Sequence, residues 1–507
     1  MSAQKILTLD ELEGAVAEAR RAGKRVVMCH GVFDLVHPGH ILHFQAARKA
    51  GDLLVVTVTP DHFVNKGPGR PVFGQRLRLE SLAALECVDY VALNEWPTAI
   101  DTIHKIKPSI YVKGSEYADA TRDITGKISE EEAAVKAAGG EIKFTYEQTF
   151  SSSSLLNEFF RKLPPRAETF LKQFRARFTA NDVIEALRGL KTVRVLVIGE
   201  AIVDQYCYCA PLGKSPKETI IATKYASEEN FAGGSLAVAN HVAGFCEQVS
   251  LVTYLGHNSP FEDFIRSKLR PNVKLHPVYA DDRPTIVKRR YVDPAFLTKM
   301  FEVQRLEDTP LPAYLEDEMR AVVSRELQQH DMVIAADFGH GLFTDAVRQV
   351  LYDSGKFLAV NTQTNSANLG FNPATKYQKA DYVCVHEGEL KLALRVQYGD
   401  VQTLTGNLRA AVHTPTIVVT RGPNGSLMIT HDGGVHEAAA LSGNVVDRVG
   451  AGDTFFALTA PCVYKRVDPE IVGFVGNCAG AMAVGTVCNR EPVDPIAFQK
   501  FISHLLA

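Results

Sequence analysis

Two imidazoles stand close together in the segment His30-Gly-Val-Phe-Asp-Leu-Val-His-Pro-Gly-His40. An apolar run, residues 25–29, precedes this segment, and residues 41–51 follow it with apolar side chains at helical spacing. His37 and His40 are therefore predicted to lie in a turn from a strand to a helix. Free backbone N–H groups and the helix dipole attract phosphate at such a helix start. The pair indicates a phosphate-handling site, and the alternative is two surface histidines beside a turn.

A second candidate site lies near the carboxyl end of the chain, where Gly450, Ala451, Gly452 and Asp453 follow one another. Two glycines flanking an alanine at a helix start expose backbone N–H groups, which bind the charge that develops on a transferring phosphoryl group. Asp453 beside this anion hole is positioned to take the proton from an attacking hydroxyl. The alternative is a tight loop with a capping aspartate.

Other polar residues follow predicted strands. Lys66 and Arg70 lie in a loop rich in glycine and proline after the strand 53–58, where they are predicted to clamp a triphosphate. Lys113 and Gly114 end another strand. Asp204 follows an apolar strand, and a carboxylate there can accept hydrogen bonds from neighbouring sugar hydroxyls.

The elements that position these residues alternate between strand and helix, which predicts the α/β class with two doubly wound domains. The first helix is predicted over residues 9–22 with Asp10 as its cap, and Gly51 is predicted to end the helix after His40. Pro164 and Pro165 interrupt a charged helical stretch, and a new α/β pattern begins at residue 193. We therefore predict domains at 1–160 and 193–507, joined by a helical connecting segment at 161–192.

The composition excludes several classes of protein. The 507 residues are 46% hydrophobic and 22% charged, as in globular domains, and the net charge of −3 gives no basic surplus for a nucleic-acid or membrane partner. The sequence has no apolar run long enough for a bilayer and no signal-peptide pattern. The nine cysteines are scattered without a Cys-x-x-Cys pair, which favours a reduced, cytoplasmic location.

Residues 31–34 and 37–40 resemble the signature of the HxGH nucleotidyltransferases, the cytidylyltransferase-like superfamily with a Rossmann-like fold. The resemblance implies that His37, His40 and Lys66 act on the phosphates in catalysis. It places the following residues around the nucleotide: Gly31, Phe33, Asp34, Arg70, Arg78, Lys113, Gly114, Ser151 and Ser152. The serines Ser151 to Ser154 are alternatively only a helix cap. The acceptor phosphate would itself attack the α-phosphate, so no protein nucleophile is required.

Residues 193–507 resemble the ribokinase-like (PfkB) sugar kinases, because motifs including Asp204, Arg283-Pro-Thr285, Asp337-Phe-Gly-His-Gly341 and Gly450 to Asp453 fall in that family's order. The resemblance implies Asp453 as the base and Gly450, Ala451 and Gly452 as the anion hole. It implies ATP binding by Thr420, Gly422 and Asn477, substrate binding by Asp204, Gly233, Gly234, Asn240, Lys288 and Arg305, and magnesium binding by Glu389. A small β-lid is expected within residues 205–232 and 284–305.

The combination resembles the bifunctional enzymes that phosphorylate a heptose 7-phosphate and then adenylylate the 1-phosphate, with the two domains in the opposite order. It implies ATP, Mg²⁺, a sugar phosphate and a homo-oligomer. CTP in place of ATP remains an alternative. Another alternative is an active nucleotidyltransferase with a non-catalytic kinase-like domain. Three departures from the family pattern bear on this last alternative. His386 replaces an asparagine, His340 replaces a lysine, and residues 360–365 lack an Asp-Pro-Lys segment.

Overall fold

The structure, a computed structural model, describes residues 2–64, 71–114, 127–145, 163–257, 259–442 and 445–507. The chain divides into two units, Met1–Lys162 together with Gln499–Ala507, and Leu163–Phe498. In the described residues, none of the helices combines the length and apolar character that crossing a bilayer would require.

The first unit is built on a parallel sheet with the strand order β1-β4-β3-β2-β5-β6. Its strands are β1 Ile6–Leu7, β2 Val26–Gly31, β3 Leu53–Val58, β4 Tyr90–Leu93, β5 Ile110–Gly114 and β6 Glu141–Thr145. Its helices are α1 Leu9–Arg21, α2 Pro38–Lys49, α3 Gln75–Ala83, α4 Ile100–Ile106 and α5 Lys127–Ala137.

Both faces of this sheet are covered, as the near-continuous apolar strands predict. Along β2, Val27 and Cys29 join one buried cluster with α2 and α3, whereas Val26 and Met28 join another with α1 and α4. Successive side chains of a strand point to opposite faces, so β2 holds the two layers together. The doubly wound prediction is confirmed, and the loop that carries the histidines follows the carboxyl end of β2.

Two local predictions at helix ends are wrong. Helix α1 begins after Thr8, which forms a reciprocal capping box with Glu11, so Asp10 is not the cap. Helix α2 ends at Lys49 with Ala50 as its cap. A Cβ atom on Gly51 would lie 2.7 Å from the carbonyl oxygen of Arg25, so this glycine is required because the chain passes close to the start of β2.

The second unit contains a mostly parallel sheet with the order β11-β10-β7-β14-β15-β16-β17-β18-β19. These strands are β7 Arg194–Gly199, β10 Gln248–Gly256, β11 Val273–Ala280, β14 Met332–Asp337, β15 Phe357–Thr362, β16 Tyr382–His386, β17 Thr416–Thr420, β18 Ser426–Ile429 and β19 Val435–Ala438. The helices of the chain from residue 163 onward are α6 Pro165–Arg175, α7 Ala180–Arg188, α8 Ser235–Val242, α9 Glu262–Lys268, α10 Ala313–Leu327, α11 Asp345–Asp353, α12 Glu387–Ala393, α13 Val401–Ala411, α14 Ala451–Tyr464, α15 Pro469–Ala483 and α16 Pro495–Leu506.

A separate sheet with the order β13-β12-β8-β9 forms the predicted β-lid. Its strands are β8 Ala201–Lys214, β9 Ile221–Gly234, β12 Ile286–Asp293 and β13 Thr298–Arg305. Lys288 is the register partner of Asp204 in the parallel pair of β12 and β8. Arg290 lies two residues further along β12, so all three side chains share one face of the lid.

The helices of the predicted connecting segment, α6 and α7, belong to the second unit. The ring of Phe174 on α6 stacks on that of Phe474 on α15, with centroids 4.4 Å apart. Stacking of two buried aromatic rings attaches this segment to the core of the unit.

Candidate active sites

The shape of the histidine turn depends on Phe33. Its backbone is left-handed, with φ of 48°, and its ring meets that of His40 edge-on at 5.3 Å. A Cβ atom on Gly31 would lie 2.9 Å from the Phe33 ring. Gly31 thus makes room for Phe33, and Phe33 supports His40, which is a packing function that the sequence did not reveal.

His37 caps α2 through one ring nitrogen and leaves the other without a partner among the described residues. Its Nδ1 accepts a hydrogen bond from the Gly39 N–H at 3.1 Å, so the neutral ring carries its proton on Nε2. Burial lowers the pKa of His37, which keeps this neutral form. Among the described residues, no acceptor reaches the buried Nε2. The ring of His40 stacks on His37 with centroids 4.0 Å apart, so the two predicted catalytic histidines are together.

Arg78 was predicted to contact nucleotide, but its guanidinium is fully enclosed in protein. It donates to the carbonyls of Val32 at 2.5 Å, Thr59 at 2.8 Å and Phe73 at 3.0 Å, and to Asp61 Oδ1 at 2.6 Å. Because Nε, Nη1 and Nη2 all donate to groups of the protein, the structure favours a positioning role. Arg78 ties the histidine loop to the segments that follow β3 and precede α3.

Asp34 is also buried, and its Oδ1 accepts a hydrogen bond from the Phe73 N–H at 2.9 Å. Lys113 and Gly114 end β5 as predicted, and the Lys113 ammonium lies 2.8 Å from Glu131 Oε2. Lys66, Arg70, Ser151 and Ser152 lie outside the described residues.

In the second unit, a cavity of about 260 Å³ lies between the lid and the start of α14. Its charged lining residues come from the lid, the loop before α14 and α14 itself: Asp204, Lys288, Arg290, Arg448 and Asp453. The sequence did not single out Arg290 or Arg448. Arg290 lies two residues after Lys288 on the same strand, so the two side chains share a face. This spacing is the only feature of the sequence that could have identified Arg290.

The start of α14 has the form of an anion hole. Gly450 has φ of 85°, and a Cβ atom there would lie 2.0 Å from Asn489 Oδ1, so only glycine fits. The first helical hydrogen bond runs from the Thr454 N–H to the Gly450 carbonyl at 2.9 Å. The N–H groups of Gly452 and Asp453 precede it, have no intrahelical acceptor, and lie at the edge of the cavity.

Asp453 is buried, and its Oδ1 accepts a hydrogen bond from Gln363 Nε2. Burial raises the pKa of Asp453 to about 7, the nearby carboxylates Asp204 and Glu389 act in the same direction, and the Gln363 hydrogen bond and Lys288 oppose them. A base with a pKa near 7 accepts a proton efficiently, and at pH 7 it is still ionised in half of the molecules. The environment therefore suits the predicted role.

The lid residues that face Asp453 have defined partners. Asp204 Oδ1 pairs with Arg290, which also lies 2.7 Å from Glu302. A Cβ atom on Gly233 would overlap Asp204 Oδ2, and Gly234 has φ of 58°. Gly233 thus makes room for Asp204, whereas a Cβ atom on Gly234 would meet the carbonyl oxygen of Glu200. Burial lowers the pKa of Lys288, which lines the same cavity.

A larger cavity of about 490 Å³ adjoins the first, because Gln363, Arg448 and Gly452 line both. It contains the residues predicted to bind ATP and metal: Thr420, Gly422, Ala451, Asn477 and Glu389. The Asn477 amide is held by the Ser426 hydroxyl at 2.8 Å.

Glu389 is partly buried at the start of α12, and each carboxylate oxygen accepts one backbone N–H, from Thr364 at 2.9 Å and from His386 at 2.7 Å. Burial raises the pKa of Glu389 to about 7. His386 caps α12 by accepting from the Gly388 N–H at 3.1 Å, so the histidine performs the capping that an asparagine would provide. The described residues contain no cluster of three metal-ligating side chains.

Three further residues that the sequence analysis named have surroundings that the sequence did not show. Asn240 Nδ2 donates a hydrogen bond to the Lys268 carbonyl, and its Oδ1 accepts one from the Arg270 N–H, both at 2.9 Å. Asn240 therefore holds the segment after α9 and does not line the cavity of Asp453. Arg305 lines a separate cavity that shares no lining residue with either of the others. Burial lowers the pKa of His340 to about 4, which leaves it uncharged at neutral pH.

Asp447 connects the lid to the loop before α14. Its carboxylate accepts hydrogen bonds from the Tyr206 hydroxyl at 2.7 Å and the Lys299 ammonium at 2.5 Å, both on lid strands. It also accepts the backbone N–H groups of Val449 at 3.2 Å and Cys488 at 3.1 Å. A buried carboxylate with four donors fixes the anion-hole loop and the lid to each other.

Two families match different parts of the chain. Residues 193–494 match the family described as pfkB family carbohydrate kinase, and residues 28–159 match the family described as Cytidylyltransferase-like. Together the two matches include the histidine turn and the start of α14.

Curated relatives match over shorter stretches. The chain is 38% identical over 141 residues to Bifunctional protein HldE of Geobacter sulfurreducens, which covers 27% of this chain and 27% of the relative. It is 46% identical over 117 residues to the protein of the same name from Methylococcus capsulatus, covering 23% and 25%. The chain thus spans about a quarter of the length of these relatives.

A solved structure of phosphofructokinase-2 from Escherichia coli, in complex with potassium, superposes with a TM-score of 0.50 at 15% identity. The match covers 62% of this chain and 99% of that one. It shows that the second unit has this fold.

Replacing Arg78 by lysine tests its positioning role. A point charge cannot reach three carbonyls and a carboxylate at once, so Arg78→Lys is expected to lower the stability of the first unit by about 3 kcal/mol. Thermal and urea unfolding of the full chain measure the change. Arg76→Lys on the same helix is the control, since Arg76 is exposed. Unchanged unfolding together with a raised KM for nucleotide would instead indicate direct contact.

The raised pKa of Asp453 predicts a pH dependence. Because the carboxylate must be ionised to accept a proton, phosphoryl transfer to a sugar hydroxyl should rise with pH and reach half of its maximum near pH 7. The measurement is kcat/KM of the purified protein between about pH 5 and 9. An acid limb near pH 4, the range of an ordinary aspartate, would contradict this environment.

Proposed function

Because the chain belongs to the pfkB family of carbohydrate kinases, we propose that its second unit transfers the γ-phosphoryl group of ATP to the anomeric hydroxyl of a sugar phosphate. The observation that carries the proposal is the junction of the two cavities at Gln363, Arg448 and Gly452, with Asp453 lining the smaller one. A sugar in the smaller cavity and ATP in the larger one would meet at this junction, which aligns the reacting groups.

In this proposal Asp453 removes the proton of the attacking hydroxyl while the N–H groups at the start of α14 stabilise the charge on the transferring phosphoryl group. Arg448, which lines both cavities, adds a permanent positive charge at the same place. Lys288 and Asp204 from the lid would orient the acceptor, one by attraction to its phosphate and the other by accepting hydrogen bonds from its hydroxyls.

Magnesium would be held by the triphosphate and by Glu389. A single protein carboxylate suits Mg²⁺, which keeps several waters and binds mainly through substrate phosphates. Glu389 fits this use because each of its oxygens accepts only one backbone N–H and the residue lines the larger cavity. The ion would neutralise charge on the phosphates.

The first unit is proposed to couple the sugar 1-phosphate to a nucleoside triphosphate. The 1-phosphate oxygen attacks the α-phosphate, and pyrophosphate leaves. The Nε2–H of His37 supports this proposal, since a buried donor without an acceptor among the described residues is suited to a phosphate oxygen. His40 stacks beside it, and Lys66, Arg70 and Lys113 would supply positive charge.

We take heptose 7-phosphate as the acceptor and ATP as the nucleotide in both steps, on the resemblance stated above, with CTP as the alternative in the second. A kinase-like domain that only binds its ligand is the other candidate, and the neutral state of His340 favours it. The replacement of an asparagine by His386 favours it as well, whereas the environment of Asp453 favours an active kinase.

A cytoplasmic location and a homo-oligomeric state complete the proposal. All nine cysteines lie among the described residues and none forms a disulfide bond, as expected in a reducing compartment. Large apolar side chains remain exposed on the lid strands, which supports association with another copy. These include Leu212, Ile221, Tyr225, Phe301 and Val303.

Two substitutions separate the activities. Asp453→Asn removes the base and should abolish ATP-dependent phosphorylation of the sugar, at a cost of about 10³-fold or more, while pyrophosphate release from NTP and preformed sugar 1-phosphate continues. His40→Ala should do the reverse. Mass spectrometry of the products from a panel of heptose and hexose phosphates, with ATP or CTP, measures both steps. Loss of both activities in one variant would contradict independent sites, and consumption of only the preformed 1-phosphate by the unaltered protein would favour the binding domain.

A further inference from the structure

Gln363 occupies the wall between the two cavities of the second unit. It follows the carboxyl end of β15 and lines both cavities, and its side-chain Nε2 donates to Asp453 Oδ1. Among the described residues no other group is hydrogen-bonded to the Asp453 carboxylate. The second oxygen therefore remains for the acceptor hydroxyl.

The loop that carries Gln363 is rigidly built. The Gln363 N–H donates to the carbonyl of Asp337 at 2.9 Å. Its carbonyl accepts from Asn368 Nδ2 at 3.0 Å and Asn372 Nδ2 at 3.3 Å. Asn365 closes the turn by accepting from the Asn368 N–H at 3.2 Å. Backbone contacts of this kind fix where the Gln363 side chain begins, so its bond to Asp453 is directed by the fold.

We propose that Gln363 is the positioning residue of the phosphoryl-transfer site: its amide orients the Asp453 carboxylate toward the sugar hydroxyl and stabilises the ionised form without adding charge. This inference rests on the proposed kinase function. A lysine in contact with Asp453 would form an ion pair and make the carboxylate a weaker base. A neutral donor fixes the geometry and leaves the basicity that the reaction requires.

The other charges around Asp453 do not perform this function. They are Asp204 from β8, Lys288 and Arg290 from β12, Glu389 from α12 and Arg448 from the loop before α14. None of them donates a hydrogen bond to Asp453 in the structure. All of these residues are retained in the Gln363 variants, so a change in the pH profile of a folded variant reports on Gln363.

The test compares Gln363→Leu, which removes the donor, with Gln363→Glu, which keeps the size of the side chain. Loss of a hydrogen bond to a charged group should move the acid limb of kcat/KM upward by about one pH unit in Gln363→Leu. At pH 7 this lowers the rate about fivefold. Gln363→Glu places a second carboxyl beside Asp453, so its acid limb should move further in the same direction. Gln349→Leu, at an exposed position of α11, is the control and should match the unaltered protein.

Each outcome decides a different point. An acid limb at the same pH in the folded variants, with thermal unfolding close to that of the unaltered protein, would overturn the role of Gln363 and leave the proposed kinase intact. If Gln363→Leu fails to fold, Gln363→Glu decides alone, because its side chain has the same shape. An unaltered protein that phosphorylates none of the sugar phosphates would refute the kinase function itself, and the inference with it.

Discussion

The burial of the Asp453 carboxylate is the constraint on which the second unit depends. Removing this group from water disfavours its charge, and Asp204 and Glu389 add to the cost. The surrounding structure compensates with a hydrogen bond from Gln363 and the ammonium of Lys288. Each of these comes from a different element, which is why the lid, the parallel sheet and α14 must all be in place around one residue.

In the first unit, His37 is a buried titratable group of the candidate site, and it is held in its neutral form. His37 carries its proton on Nε2 because its Nδ1 accepts a hydrogen bond from the Gly39 N–H, and burial favours the uncharged ring. Near it, Arg78 satisfies the carbonyls of Val32, Thr59 and Phe73. In both units the residues proposed to bind a ligand are thus distinct from the residues that hold them in position.

The fold was predictable because apolar runs and helical spacing report directly on burial. Both sheets and the strand 53–58 appeared where the pattern indicated, and the lid lies where the family resemblance implied it. The histidine turn and the segment Gly450 to Asp453 could be found from local spacing, whereas Lys288 was predicted only from the resemblance. The protein partners of Arg78 and Asn240 could not be predicted, since a sequence shows a polar residue but not whether its side chain bonds to ligand atoms or to the backbone. Gln363 was missed as a functional residue because its contact with Asp453 joins positions far apart in the chain.

The contacts of Asp447 have a consequence for the mechanical coupling of the second unit. The lid supplies two of the four donors to this buried carboxylate, and the backbone N–H groups of Val449 and Cys488 supply the other two. A displacement of the lid would therefore remove half of the hydrogen bonds to a buried charge. Because an unpaired buried carboxylate is costly, these contacts oppose any movement of the lid that leaves the loop before α14 behind.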